Sequence, residues 1–370
     1  MRKEPSQKYN SYAALPAHGF RVVEFQLMQD CNLNCAYCGY KQKHAKTKDN
    51  LPLSFVEKTL LHDLADSPPE WVWFEGGEVT MDDRSRTYLL DALEITRKTG
   101  VKSRINTNAQ KCNPAYSREL SRLGLSFACV SCDSVEPLLF CHMRGLNKTK
   151  SKELFDEFSE NVRGLIDAGI TVDLEVTLTR DNIDELEAVY DYAESFGSKN
   201  VLMGVQFLVA TTDGIFELYP DFDAQYRALS RLIKRAEKGS IPIRICCCPL
   251  VPCKYPDLYL PREKVIWVGC SCGYDYVHIH ATGDVFLCGF WDHSNSLGNL
   301  RDASLSQIWQ ESALRRKSRI IRPSRCSDCT SWEGIPLCHN ICIAVVHRKT
   351  KGFSRDAYSL TQEIMSAKGQ

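Results

Sequence analysis

Eighteen cysteines stand in this chain of 370 residues, and their placement constrains the fold and chemistry more than any other feature. Three form the segment CNLNCAYC (Cys31, Cys35, Cys38), and eleven fall between Ile241 and Cys342. The first residues, MRKEPSQKYNSYAALPAHGF, are polar, are broken by Pro5 and Pro16, and lack the apolar core of a secretory signal. That predicts a reducing, cytoplasmic setting, where disulfides are disfavoured and cysteines at short fixed spacings serve metals or redox chemistry. No apolar run of about 18 residues predicts a membrane span. Lys+Arg and Asp+Glu both number 46, a balance without the positive footprint that nucleic-acid binding needs. A hydrophobic fraction of 44% with 25% charged residues is ordinary globular usage and excludes a disordered chain.

Six apolar, β-rich runs alternate with amphipathic stretches over the first 240 or so residues. The predicted strands are Phe20–Leu27, Trp71–Phe74, Lys102–Thr107, Ser126–Ser131, Thr171–Thr177 and Val201–Leu208. The predicted helices are Ser54–Ala65, Asp82–Lys98, Ala115–Leu123, Lys152–Asp167, Asn182–Phe196 and Asp221–Lys238. Repeated β-then-α units predict a parallel sheet with helices outside it, as an open doubly wound sheet or a partial barrel. The pattern changes after Gly239, where IPIRICCCPLVPC begins. A hairpin is predicted at Val277–Cys288 with its turn at Thr282–Asp284, and a helix at Ser304–Lys317. The expected organisation is an N-terminal extension (1–19), an α/β domain (20–239), a smaller cysteine-rich α+β domain (240–342) and a tail (343–370).

Three thiolates on one tight loop directly after a strand can hold three irons of a [4Fe–4S] cluster and leave the fourth open. A structural zinc site wants four ligands, so spacing alone leaves open a zinc knuckle with a distant fourth ligand. The C-x3-C-x2-C spacing, with Tyr37 before the last cysteine, resembles the signature of radical S-adenosylmethionine enzymes. Further segments fall in that family's order. FEGGEV carries Gly76, Gly77 and Glu78, similar to its GGE motif, with Val79 where proline is usual. Asn108 lies in INTNA, Ser131 and Asp133 in VSCDS, Arg144 before Gly145, and Thr177 in EVTLTRDN. The resemblance implies a partial (β/α)6 barrel. It also implies a cluster on Cys31, Cys35 and Cys38, and cofactor contacts from Tyr37, Gly76, Gly77, Glu78, Asn108, Ser131, Asp133, Arg144 and Thr177. From the residues alone, Asn182 reads equally as a helix N-cap.

Downstream, Cys270, Cys272 and Cys288 are followed by Cys326, Cys329, Cys338 and Cys342, with LGNLRDASLSQIW between the two groups. This ensemble resembles the SPASM domain or its shorter relative, the twitch domain, which implies two or one auxiliary [4Fe–4S] clusters. By that resemblance one cluster takes Cys270 or Cys272, Cys288, Cys342 and an upstream cysteine, for which Cys253 is chosen. The other takes Cys326, Cys329, Cys338 and a fourth ligand. No cysteine follows Cys342, so the alternatives are an open iron, His347, one of Cys246–Cys248, or zinc in place of the cluster. The CCC run also reads as a buried strand of small residues, and Cys112, Cys129, Cys132 and Cys141 read as core.

The implied chemistry is reductive cleavage of S-adenosylmethionine to a 5′-deoxyadenosyl radical, which takes hydrogen from an unactivated carbon. The implied partners are a flavodoxin- or ferredoxin-type reductant and a peptide or protein substrate that is crosslinked, oxidised or epimerised. About 20 residues precede the first strand, so a leader-binding module is expected on another chain. The alternatives are a dehydrogenase or decarboxylase acting on a small molecule, and a non-catalytic zinc or Fe–S scaffold. Asp275, Asp292 and His293 are acid/base candidates that read more simply as exposed turn residues, so no catalytic base is named.

Overall fold

The computed structural model describes residues 19–39, 49–209, 213–250, 255–291 and 294–320. One sheet of eleven strands organises them, in the order β11-β10-β9-β1-β2-β3-β4-β5-β6-β7-β8. The first six strands are β1 (Val22–Met28), β2 (Trp71–Gly76), β3 (Lys102–Thr107), β4 (Leu125–Ser131), β5 (Thr171–Leu178) and β6 (Val201–Phe207). They pair in parallel in chain order, as six β-then-α units require. The intervening helices are α1 (Leu53–Lys58), continued by a π turn at Thr59–Asp63, α2 (Asp83–Arg97), α3 (Pro114–Arg122), α4 (Pro137–Arg144), α5 (Ser151–Asp167), α6 (Leu186–Ser195) and α7 (Phe222–Lys238).

The sheet does not stop at Gly239. β7 (Ile243–Cys246) adds to β6 in parallel, and β8 (Val265–Val268) adds to β7. On the opposite side, β9 (Tyr276–Ile279) pairs in parallel with β1. The parallel part of the wall is therefore a partial barrel that runs from β9 to β8. The hairpin forms where the sequence places it: β9 meets β10 (Asp284–Phe286) antiparallel, with Gly283 at φ 87° in the turn. The short strand β11 (Gly298–Asn299) completes that edge. The predicted helix at Ser304–Lys317 is two helices, α8 (Leu305–Glu311) capped by Ser304, and α9 (Ala313–Ile320), interrupted at Ser312.

Strand alternation explains how this wall is built. Successive side chains point to opposite faces. Val23, Phe25, Leu27, Val72, Phe74, Ile105, Val172, Leu174 and Val205 belong to the hydrophobic core between sheet and helices. Their neighbours Glu24, Trp73, Glu75, Arg104, Asn106, Glu175, Gln206, Arg244 and Cys246 line an inner cavity. Helix α4 is absent from the sequence reading because eight residues, PLLFCHMR, show no resolvable period. Its Glu136 caps Leu138 N and Leu139 N, and Gly145 ends it in the left-handed conformation, φ 65°. Cys112, Cys129, Cys132 and Cys141 are buried, as core cysteines should be. No described helix is long and apolar enough to cross a membrane.

Candidate active site

The cysteine loop sits at the C-terminal end of β1, the end where parallel β/α folds place their chemistry. Backbone bonds fix it to the end of α4: Asn34 N donates to Arg144 O at 3.0 Å and Ala36 N to Met143 O at 3.1 Å. Leu33 N donates to Cys31 Sγ at 3.4 Å. Cys31 is exposed, and Cys35 and Cys38 are half-buried. Burial pushes the Cys35 thiol up to about 12, helped by the Asp133 charge and opposed by Arg144, and its neighbours Cys38 and Cys31 add to the rise. Three thiols within electrostatic reach of one another on a half-open loop suit a cluster with one open iron.

The GGE segment is pressed against the chain that feeds this loop. Gly77 N donates to Met28 O at 2.9 Å and Glu78 N to Asp30 O at 2.8 Å. A Cβ on Gly76 would stand 2.2 Å from Met28 O, and one on Gly77 1.9 Å from Asp30 O. The close approach that these two glycines allow is therefore to the protein's own backbone. The Glu78 carboxylate is buried and engaged by Thr80 Oγ1 (2.7 Å), Thr107 Oγ1 (2.7 Å) and Asn108 N (2.6 Å). Burial raises its pKa, and those hydrogen bonds oppose the rise.

Around the loop the remaining residues form a scaffold. Asn108 Nδ2 donates to Asn32 Oδ1 at 2.9 Å. Tyr37 Oη donates to Asp133 Oδ2 at 2.5 Å, and Asp133 Oδ1 accepts from Thr177 N at 2.9 Å. Burial raises the pKa of Asp133 against the pull of Arg144. Arg144 is fully buried between Phe140 and Phe158, its Cζ 4.1 and 4.9 Å from their ring centroids. It donates to the Asn108 and Ser131 carbonyls, tying the ends of β3 and β4 together. Tyr37 and Thr177 also line the cavity. Asn182 is not an N-cap: its Nδ2 donates to the Asp133 and Thr177 carbonyls, and the helix N-cap is Glu185.

The cavity, of about 330 Å³, opens between this loop and the second cysteine group. Tyr37 and Cys38 line it, as do Cys270, Cys272 and Cys288. The Cys272 thiol contacts those of Cys270 and Cys288, and these contacts together with burial raise its pKa far above the usual thiol value. This donor set suits an auxiliary cluster. Cys253, Cys326, Cys329, Cys338, Cys342, His347, Asp292 and His293 lie outside the described residues. Asp275 is not an exposed turn residue: it is buried and paired with Arg21 Nε at 3.0 Å.

The wall between the two cysteine groups carries charge that the motif reading missed. Arg244 Nε donates to Asp173 Oδ2 at 2.6 Å, and the same guanidinium binds Glu175. Burial raises Asp173, whereas for Glu175 burial is outweighed by Arg244 and Arg104 and its pKa falls. Across the cavity, Glu24 accepts from Tyr276 Oη and lies 2.8 Å from His278 Nδ1, which is 3.5 Å from Glu75 Oε1. Ligand atoms of Glu24, Glu75 and His278 lie within 4.8 Å of one another. The positive charge of Arg104 acts on this trio through Glu24. Burial lifts Glu24 to about 7, against hydrogen bonds from Tyr276 and Glu75 and the charge of Arg104.

A measurable pH dependence follows from Glu24. The folded chain binds this proton more tightly than the unfolded one, so its contribution to stability is fully present below about pH 4.5 and is lost as pH rises towards 7. The lost amount is on the order of 3 kcal/mol. Glu24→Gln should remove this loss and resist urea better than the native chain at pH 8, with little difference at pH 5. Equal pH slopes for the two proteins would refute the assignment.

An open parallel barrel with a three-thiol loop at the C-terminal end of its first strand, and a second group of thiols lining the same cavity, is the arrangement that the resemblance to radical S-adenosylmethionine enzymes implies. Comparison with known proteins fixes the family. The radical SAM superfamily matches residues 25–193, and the SPASM iron–sulfur cluster-binding domain matches 270–330. The chain is a radical SAM protein with a SPASM domain, and its cofactors are [4Fe–4S] clusters with S-adenosylmethionine. Fe-coproporphyrin III synthase of Methanosarcina barkeri is 26% identical over 83% of this chain and 80% of its own. An AdoMet-dependent heme synthase of Oleidesulfovibrio alaskensis is 20% identical over 93% and 86%. The PqqA peptide cyclase of a Methylobacterium is 23% identical over 82% and 77%. Among solved structures, Streptococcus suis SuiB bound to its precursor peptide SuiA superposes with a TM-score of 0.71 at 17% identity, covering 95% of this chain and 78% of that one. The enzyme anSMEcpe with bound AdoMet gives 0.68 at 15% identity, covering 93% and 91%.

Proposed function

We propose that this enzyme abstracts a hydrogen atom from a peptide or protein side chain placed in the cavity between the two cysteine groups, leading to a crosslink, oxidation or epimerisation. When bound at Cys31, Cys35 and Cys38, the cluster and S-adenosylmethionine supply a 5′-deoxyadenosyl radical. The chain's own residues do the placing. Gly76 to Glu78 and Asn108 hold the loop from below, and Arg144 locks the ends of β3 and β4. Tyr37, steadied by Asp133, and Thr177 border both the loop and the cavity. The partly enclosed wall keeps water from the reacting carbon.

One observation favours a peptide: the described wall presents the carboxylates of Glu75 and Glu175, with Glu24 lifted to about 7 by burial, against two guanidiniums, Arg104 and Arg244. Arg244 is already committed to Asp173 and Glu175. Such a lining suits a neutral or cationic side chain and disfavours a substrate bearing several carboxylates. SuiB and anSMEcpe, which share the fold, have been captured with peptides. The second reading, action on a porphyrin, is favoured by the names of two relatives, an Fe-coproporphyrin III synthase and an AdoMet-dependent heme synthase.

Anaerobic turnover separates the two. The reconstituted protein is given S-adenosylmethionine and a flavodoxin-type reductant with either Fe-coproporphyrin III or a panel of short peptides carrying one Lys, Ser, Cys or Tyr. Peptide-dependent 5′-deoxyadenosine with a peptide lighter by two hydrogens, or epimerised, supports the proposal. Loss of carbon dioxide from the porphyrin with every peptide unchanged overturns it.

A further inference from the structure

Three neighbouring strands bring two carboxylates and an imidazole together on the inner face of the barrel. Glu24 of β1 is in register with His278 of β9, and Glu75 of β2 is in register with Gln26, two residues on from Glu24. His278 Nδ1 lies 2.8 Å from Glu24 Oε2 and 3.5 Å from Glu75 Oε1. Ligands bound about 2 Å from a divalent ion stand about 3 Å apart, and these separations bracket that value. The three are not solvated surface groups: Glu24 and His278 are buried and Glu75 is half-buried. Each carboxylate is also held from behind, as metal ligands are. Tyr276 Oη donates to Glu24, and Asn106 Nδ2 donates to Glu75 Oε2 at 3.2 Å, with Glu75 Oε1 nearest the imidazole. A second observation points to a ligand. Gln26 is fully buried on the same face, and neither atom of its side-chain amide has a hydrogen-bond partner. Folded chains rarely leave a buried amide in that state. Its oxygen is a donor of the kind that completes the shell of a divalent ion.

We propose that Glu24, Glu75 and His278, with the Gln26 amide oxygen beside them, form a site for a single divalent ion of the Mn²⁺, Fe²⁺ or Zn²⁺ kind, separate from the iron–sulfur clusters. Carboxylate oxygens and an imidazole nitrogen suit such ions, whereas the thiolates elsewhere on the cavity wall suit clusters. The opposing charge is Arg104, which acts on Glu24. Its guanidinium lies over Trp73, 4.2 Å from the ring centroid, and its Nε donates to Asn106 Oδ1 at 3.2 Å. Two carboxylates outnumber one guanidinium, so the field at the site still favours a dication. With no ion bound, a proton between the two carboxyls takes its place, as the raised pKa of Glu24 and its hydrogen bond with Glu75 record. The site stands whether or not the substrate is a peptide. An ion there occupies two of the carboxylates that suit a cationic side chain, so ion and side chain compete for the same stretch of wall.

Mn²⁺ alone is the probe, added anaerobically at pH 8 to the full chain with its clusters reconstituted. Binding removes the electron paramagnetic resonance signal of the free ion, and a coordinated imidazole adds nitrogen modulation to the spin echo. The native chain should take up a single tightly held Mn²⁺ that shows this modulation. Glu24→Gln should weaken the binding by about 100-fold or more, since even partners that stand behind the ligands are worth about 10–100-fold. Its melting temperature without Mn²⁺ should be no lower than the native one and its iron content unchanged, which separates lost binding from unfolding. Tyr276→Phe should weaken binding by about 10-fold, and His278→Gln should abolish the nitrogen modulation. Equal affinity in the native and Glu24→Gln chains would put the ion on surface carboxylates and overturn the proposal. Modulation that survives His278→Gln overturns it too, as does a native chain that holds no Mn²⁺ tightly, which would leave the proton as sole occupant. Tight Mn²⁺ binding by a chain that turns over no peptide supports the site and refutes the peptide reading.

Discussion

Replacing Cys31, Cys35 and Cys38 with alanine in the otherwise native chain should abolish 5′-deoxyadenosine formation and remove about four irons, while barely moving the melting temperature. The two halves of this expectation come from different parts of the loop. Its shape is held by main-chain bonds from Asn34 and Ala36 to the end of α4, and by Asn32 against Asn108. These bonds use no cysteine side chain, and the one loop bond given above that does is the long contact from Leu33 N to Cys31 Sγ at 3.4 Å. Cys31 is exposed and its two partners are half-buried, so truncating each should cost roughly 0.5 kcal/mol or less. The loss of chemistry should be complete, because nothing else on this loop can ligate iron with comparable softness. Alanine at Cys129 should do the reverse: that thiol is buried in the barrel wall, so stability falls while iron and cofactor cleavage persist. Cofactor cleavage surviving in the triple variant would disprove the assignment of the loop.

Much of this architecture is legible in the sequence, and the parts that are not share a physical reason. Six strands and their helices announce themselves because each helix is long enough to show its period and each strand is bounded by turn residues. Helix α4, β7 and β8 are too short for that: eight, four and four residues. The cysteine loop and GGE segment can be found by spacing, yet spacing gives no warning that Gly77 packs on backbone or that Arg144 is sealed between two phenylalanines. The charged barrel lining was open to inspection. Glu24 and Gln26 in β1, Arg104 and Asn106 in β3, and Asp173, Glu175 and Thr177 in β5 recur at period two. In a parallel sheet flanked by helices, such strands should be apolar on both faces. Polar residues on one face therefore signal an interior that binds something. Which of them pair with one another depends on the neighbour across the sheet, as with Arg244 of β7 and Asp173 of β5, and only the fold supplies that.

The second large effect should come from a single methyl group. Gly77→Ala places a carbon 1.9 Å from Asp30 O, 2.3 Å from Asp30 C and 2.5 Å from Gln29 O. All three are main-chain atoms, so no side-chain rotation relieves the contact. The segment that must retreat leads directly into Cys31, and the bond from Glu78 N to Asp30 O at 2.8 Å goes with it. Overpacking of this kind costs about 1–3 kcal/mol, which a domain of ordinary stability survives. Displacement of the reacting groups is the heavier penalty, since a shift of about 1 Å can cost 100-fold in rate. The variant should therefore fold and keep the iron held by its second cysteine group, while 5′-deoxyadenosine formation drops by about 100-fold or more. Iron content and cofactor cleavage measured on the same preparation separate this from general unfolding, which would strip both sites. A Gly77→Ala enzyme that cleaves the cofactor at even half the native rate would show that the loop does not depend on this backbone contact. The glycine would then have to be explained by what approaches it from the cavity side.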